Sequence, residues 1–188
     1  MNVNAGSRLA WIALLMLSIS AAVNVLQAQR IRALEGRQAS GISLVGRGLP
    51  ELTGAAPTGT PRRIDLTGAQ PTVLYYFSPS CGWCDRNWAN LEAIAAGARG
   101  RYRVLAVTSN RGTSEYIRER RITLDVLEGL DENSRQAVGF SLSPHTIVVS
   151  ADGQITHDWR GAYTPRIERQ IEDVFGVLLP GVDPAAAR

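Results

Sequence analysis

The sequence predicts an α/β fold, a central mixed β-sheet flanked by helices, and three observations carry that reading. Two nearly continuous apolar runs, opening at Thr72 and at Tyr102, read as strands buried on both faces. Helical periodicity separates them, the crossover that parallel strands require. Towards the end, Asp152-Gly153 joins two extended stretches as a hairpin turn, and an amphipathic helix follows.

The N-terminal stretch stands apart from that pattern. From Leu9 to Leu26 no residue is charged. As a helix at ~1.5 Å per residue it reaches roughly 27 Å, close to the thickness of a hydrocarbon core. It is expected to anchor the chain in a membrane. A cleaved signal peptide competes, because Arg8 precedes the run and Leu26-Gln27-Ala28 fits a cleavage site. Signal cores usually run only about 7–15 residues, which favours the anchor. Arg30, Arg32 and Arg37 follow the span, and the positive-inside rule counted on them leaves the domain in the cytoplasm. A short positive start before a long apolar run is instead what export machinery reads. We follow the export pattern and expect the domain on the extracytoplasmic, periplasmic side.

Residues 1–28 then form the anchor, 29–48 a linker, 49–179 the folded domain and 180–188 a tail. Between Gly36 and Pro61 the composition turns to Gly, Pro, Thr and Ala, a spacer followed by an irregular lead-in. Within the domain, a strand runs from Thr72 to Phe77. A helix from about Gly82 to Gly97 follows, with Trp88, Leu91 and Ala95 on one face. After the strand from Tyr102 to Thr108, Thr113 and Ser114 are placed to cap a short helix reaching Arg121. Ile122 to Leu127 reads as extended, and Asp131 caps a helix that ends at Gly139. The strands of the hairpin are His145 to Ser150 and Gln154 to Trp159. Thr164-Pro165 opens the last helix, proline suiting its first position, with Ile167, Ile171, Val174, Phe175 and Leu178 as the buried stripe.

At 188 residues, 45% hydrophobic and 20% charged, the chain has room for one ordinary globular domain plus the anchor. The net charge is only +3 and the arginines are scattered. A nucleic-acid footprint needs a clustered basic stripe, so no nucleic-acid partner is expected.

The two cysteines fall in Cys81-Gly82-Trp83-Cys84, where the first buried strand gives way to a helix. Two intervening residues at a helix start let both sulfurs reach bonding distance. The first sulfur stays outside, beside unpaired backbone N–H groups and the positive end of the helix dipole. That setting lowers a thiol's pKa and makes a nucleophile near neutral pH. Cys81 is therefore read as the attacking thiol and Cys84 as the resolving one. Gly82 is read as permitting the tight turn, and Trp83 as an exposed apolar surface. A zinc half-site would draw on His145 and His157, but their spacing is wrong and no second cysteine pair exists. No metal or cofactor is expected. Nor does a purely structural disulfide fit, because closing so short a loop stabilises little.

With these residues in place the chain resembles the thioredoxin superfamily, and within it the membrane-anchored TlpA/ResA-like proteins. The likeness runs from about Leu49 to Leu178 and rests on Cys-Gly-Trp-Cys after the apolar strand and on Ser143-Pro144 before His-Thr-Ile-Val-Val-Ser. The Asp152-Gly153 turn and Gly161 complete it. The resemblance implies a thioredoxin-like fold and thiol–disulfide oxidoreductase activity. It also implies a cis Pro144 packed against the cysteine motif, with the Ser143 backbone pairing with a bound substrate chain. Two departures stand out. Tyr75 occupies the place of a buried aspartate, and Asn87 that of a glutamate, so both family proton acceptors for Cys84 are missing. His145 is the candidate substitute, since imidazole titrates in the useful range, set against an ordinary solvent-facing strand histidine.

The expected function is a membrane-anchored reductant of protein disulfides, partnered by protein thiol and disulfide substrates and by a membrane electron-transfer protein. An oxidase or isomerase of protein disulfides is the alternative within the same chemistry. A non-catalytic anchored binding module is the alternative outside it.

Overall fold

The computed structural model describes residues 5–39, 43–140 and 142–182. The end of the predicted tail, 183–188, and part of the predicted linker, 40–42, lie outside them. The first unit holds helix α1 (Ala5–Ala39), whose stretch Trp11–Gln29, at mean hydropathy 1.8, is long and apolar enough to cross a membrane. The second unit begins at Leu44, whose side chain is already buried.

In the second unit the elements run β1 (Glu51–Ala55), β2 (Pro61–Asp65), β3 (Thr72–Tyr76), α2 (Gly82–Gly97), β4 (Arg103–Val107) and α3 (Ser114–Glu119). They continue with β5 (Asp125–Leu127), α4 (Glu132–Val138), β6 (His145–Val149), β7 (Ile155–Arg160) and α5 (Pro165–Phe175). Five strands form the central sheet in the order β5-β4-β3-β6-β7. The pairs β3/β4 and β4/β5 are parallel, whereas β3/β6 and β6/β7 are antiparallel. This is the mixed sheet that the strand and helix order predicts.

Alternation along β3 sorts the core into two faces. Val73, Tyr75 and Phe77 look to one side, where Cys84, Trp88, Leu91 and Ile94 of α2 and Ile171 and Phe175 of α5 meet them. Leu74 looks to the other side, joined by Leu105, Val107, Ile147 and Val149 and covered by Leu52, Ile64 and Val138. Each fully buried aliphatic side chain of this kind contributes about 1.5–3 kcal/mol. On the first face Trp88 sets its ring edge-on to both Tyr75 and Phe77, with centroids 5.2 and 5.1 Å away.

The irregular lead-in expected before Pro61 is corrected by the structure. There β1 and β2 form an antiparallel hairpin with Leu52 opposite Ile64. Thr53 N–H donates to Ser134 Oγ at 2.8 Å, and Ala55 and Glu128 exchange two backbone hydrogen bonds at 2.8 Å each. A Cβ on Gly54 would stand 2.6 Å from the Glu128 carbonyl oxygen, so glycine is what lets β1 lie so close.

Local caps account for the helix ends. Asp131 accepts the Ser134 N–H at 2.7 Å, and Gly139 closes α4 at φ 60°. Thr113 precedes α3 without capping it through its side chain. Its N–H and hydroxyl instead donate to buried Glu128 at 2.8 and 2.7 Å. The stripe predicted on α5 holds at Ile171 and Phe175 but fails at Leu178, which is 88% exposed. Gly176, at φ 63°, ends the helix before that residue.

Candidate active site

The chain leaves β3 at Tyr76, passes through Ser78-Pro79-Ser80 and enters α2 with Cys81 as its N-cap. The Cys81 Sγ accepts the Cys84 backbone N–H at 3.2 Å, a position that Ser or Asp commonly fills at helix starts. Cys81 and Cys84 are joined as a disulfide, with Cα atoms 5.2 Å apart. Cys81 is half-buried while Cys84 is fully buried. The asymmetry follows from helix geometry. The N-cap stands at the open mouth of the first turn, and a residue three positions on rotates back beneath it.

The two residues between the cysteines differ in what they contribute. Gly82 has helical backbone, and a Cβ there would meet nothing within 4 Å. The turn therefore does not require glycine, which corrects the role assigned to it from sequence. Trp83 is 53% exposed beside the disulfide, with the Arg86 guanidinium 4.6 Å from its ring centroid.

Beneath the disulfide the site is polar and neutral. The Tyr75 hydroxyl donates to the Cys84 carbonyl oxygen at 3.3 Å. Burial pushes that phenol well above its ordinary range, so it stays protonated. Asn87 is fully buried one turn after Cys84, and its Oδ1 accepts from Asn90 Nδ2 at 3.3 Å. Its amide faces the Tyr75 hydroxyl, whose pKa that contact lowers against the larger effect of burial. Asn90 in turn accepts the Gly181 N–H at 3.0 Å. Behind Tyr75, Thr146 and Tyr163 share a hydrogen bond of 2.8 Å.

Reasoning from sequence overlooked the residue after the motif. Asp85 accepts from Tyr116 OH at 2.6 Å and from Arg120 Nη2 at 2.9 Å, and Trp88 Nε1 donates to the same Tyr116 oxygen at 2.9 Å. These bonds fasten α3 to the first turn of α2. The signal was an acidic residue directly behind the cysteines, but its partners lie 31 and 35 positions away.

Ser143-Pro144 is a cis peptide. Pro144 is buried and Ser143 half-buried. The register of Tyr76 with His145 sets Pro144 level with Phe77. His145 itself faces the other way. Thr146 is paired with Tyr75 and shares the cysteine side, so His145 shares the opposite side with Tyr76. It is 1% exposed there, against Phe140 and with Nε2 2.6 Å from Asp158 Oδ1. Neither a proton acceptor for Cys84 nor a solvent-facing strand residue describes it. His157 stacks on Trp159 at 5.1 Å, far along the sheet from the motif. Among the described residues no group of three or more His, Cys, Asp or Glu side chains is arranged to hold a metal.

A cysteine pair at the N-terminus of the helix after a central strand, on a mixed sheet with an antiparallel final hairpin, defines the thioredoxin fold. Solved structures agree on that fold. The thioredoxin domain of a thiol-disulfide oxidoreductase from Bacteroides vulgatus superimposes with a TM-score of 0.59 at 17% identity, over 72% of this chain and 99% of that one. A thiol:disulfide interchange protein from Bacteroides sp. gives 0.56 at 18%, over 70% and 90%. A secreted Mycobacterium tuberculosis disulfide oxidoreductase homologous to E. coli DsbE gives 0.51 at 19%, over 66% and 91%. No protein family and no curated protein matches the sequence.

Proposed function

We propose that this chain is a membrane-anchored thiol–disulfide oxidoreductase that reduces protein disulfides on the extracytoplasmic side. The observation that carries the reading is the half-exposed Cys81 at the α2 N-cap, bonded to a Cys84 that solvent cannot reach. Opening that bond leaves Cys81 beside free backbone N–H groups and the helix dipole, which favour its thiolate. The thiolate attacks a substrate disulfide, and one substrate sulfur leaves as a thiolate that takes a proton from solvent. Cys84 then loses its proton and attacks Cys81 Sγ, releasing the second substrate sulfur. The substrate gains two electrons and the chain returns to the disulfide.

The reductive direction rests on the resemblance to anchored TlpA/ResA-like proteins. Extracytoplasmic spaces are oxidising, so the pair must be re-reduced by a donor, and a membrane electron-transfer protein is the class that fits a tethered domain. The span 9–26 supports the tether. Cis Pro144 and half-buried Ser143, level with the end of the strand that leads into the motif, support a substrate chain pairing along their backbone.

Trapping tests the activity. With Cys84→Ala, mixed disulfides should accumulate on Cys81, and with Cys81→Ala none should. Acid quenching of growing cells followed by alkylation reads the direction. A reductant rests as the dithiol, whereas a mainly closed Cys81–Cys84 pair that oxidises reduced substrates marks an oxidase.

A further inference from the structure

Trp83 and Arg86 lie outside the buried face of α2, on the turns that carry the disulfide. Trp83, between the two cysteines, is 53% exposed, and the Arg86 guanidinium stands 4.6 Å from its ring centroid. Residues three apart on a helix share a face, which lets the two side chains meet. Apart from that ring, Arg86 makes no hydrogen bond or ion pair among the described residues. The carboxylate next to it in the chain is taken, since Asp85 accepts from Tyr116 OH and Arg120 Nη2. Ser80 and Gly82, on either side of Cys81, carry no charge, and neither does Ser143.

We infer that Trp83 and Arg86 form a docking site for an acidic polypeptide segment, one with a carboxylate beside the cysteine that Cys81 attacks. It rests on the exchange reading above and adds to it the chemical class of the partner. A guanidinium presents five N–H donors and pairs with a carboxylate through two parallel hydrogen bonds. Lying over the indole, it is held by the ring and keeps its donor edge for a second partner. That support also limits the side-chain freedom lost on pairing, which is one reason that exposed ion pairs ordinarily contribute little. The solvent-facing indole offers apolar area to the same incoming chain, since tryptophan and arginine are the side chains that most often carry binding. Charge decides the sign. Arg120 neutralises Asp85 at 2.9 Å, so an approaching chain meets one uncompensated cation on the first two turns of α2. A carboxylate is drawn in there and a lysine is repelled.

The test uses the full-length protein in an uncharged detergent, with Cys84→Ala so that Cys81 stays a free thiol. The probes are synthetic peptides, each with its single cysteine activated as a thiopyridyl disulfide and with Glu, Gln or Lys at the position next to it. The Cys81 thiolate displaces the thiopyridine and takes up the peptide, a step that any free thiol performs. Uptake of the Glu peptide should be about fivefold faster than uptake of the Lys peptide at low ionic strength, with the Gln peptide between them. The ratio should approach one in about 1 M sodium chloride, where the screening length falls to ~3 Å. Arg86→Gln should bring the Glu-to-Lys ratio below about twofold and leave the Gln peptide within about twofold of its rate on the parent protein. In Trp83→Ala the guanidinium loses its support, and the ratio should fall to about half. Equal rates for all the peptides on the parent protein overturn the inference, as does an unchanged ratio in Arg86→Gln or in Trp83→Ala. Equal slowing of every peptide in Arg86→Gln also overturns it, because the guanidinium would then act on the thiol itself. Failure of the protein with both cysteines to exchange disulfides at all would instead sink the activity reading, and the Glu-to-Lys ratio at Cys81 would still decide the charge of the partner.

Discussion

His145 and Asp158 form a buried pair on the sheet face away from the disulfide, with Nε2 and Oδ1 2.6 Å apart and the side chains 1% and 5% exposed. Burial pushes the Asp158 carboxyl up. Hydrogen bonds from His145, the Leu44 N–H and Arg160 outweigh that and hold it well below the ordinary carboxylate range. The bond to Leu44 ties down the first residue of the domain at 2.9 Å. The pair therefore serves stability. Asp158→Asn should cost about 3 kcal/mol, because it strands the remaining partners in the interior.

The pH dependence of that stability has a definite sign. An unfolded Asp titrates near pH 3.9, at about the usual peptide value, and the folded one lower. The contribution is complete above the unfolded value and is lost as pH falls from there through the folded value. Thermal unfolding followed between pH 7 and about pH 3 should show the wild-type Tm dropping towards that of Asp158→Asn. Parallel curves over the whole range would mean that the carboxylate charge contributes nothing.

Glu128 makes a second structural carboxylate. It is 4% exposed and accepts from Gly112 N–H, Thr113 N–H and Thr113 Oγ1 at 3.0, 2.8 and 2.7 Å. Burial works against its charge, yet these donors prevail and leave its pKa lowered. Glu128→Leu would leave the donors before α3 unmatched, at about 1–3 kcal/mol. Since α3 carries Tyr116 and Arg120, protease cleavage near 110–121 should rise in that variant. Protection equal to wild type would detach Glu128 from the placement of α3.

What the sequence made legible was local. Helix α2 starts and ends where periodicity puts it, because Trp88 and Leu91 announce it within a few turns. The αL glycine after α4 is equally local. The hairpin β1–β2 escaped notice because its strands are held by Ser134 and Glu128, far along the chain. The face of His145 is fixed by its register against Tyr76, which no neighbouring residue encodes. Apolar spacing carried the α5 stripe on to Leu178, but the backbone had already turned at Gly176. At the site itself, both cysteines and the proline could be named from their motif. The bonds of Asp85 and the buried amide of Asn87 depend on which side chains the fold brings alongside them.

Gly54 offers a test of the hairpin. Its Cβ would fall 2.6 Å from the Glu128 carbonyl oxygen and 3.0 Å from Leu127 Cγ. Backbone on one side leaves little to yield, so Gly54→Ala should push β1 off the end of β5 and cost about 1–3 kcal/mol. Hydrogen exchange at the Ala55 and Glu128 amides, which pair with each other, should accelerate together. Unchanged protection at both would show that β1 accommodates a methyl group there.

The exposed indole beside the disulfide leads to the last prediction. Trp83 precedes Cys84 in α2, is 53% exposed and carries the Arg86 guanidinium over its ring. An aromatic ring held in solvent is poorly placed to support the core, and its removal should leave Tm within about 1 °C of wild type. Its position at the rim of Cys81 instead suits contact with the chain around an incoming disulfide, since aromatic side chains are the residues that most often anchor such interfaces. Exchange with a protein disulfide and exchange with a small dithiol therefore separate the two roles. In Trp83→Ala, reduction of a protein substrate should slow about tenfold, the loss of roughly 1.4 kcal/mol of transition-state contact. The rate at which dithiothreitol reduces the Cys81–Cys84 disulfide should change less than twofold, because that reagent reaches the sulfur without a polypeptide to dock. Equal slowing with both would show that Trp83 acts on the reactivity of the disulfide itself. No slowing with either would remove the indole from the substrate surface.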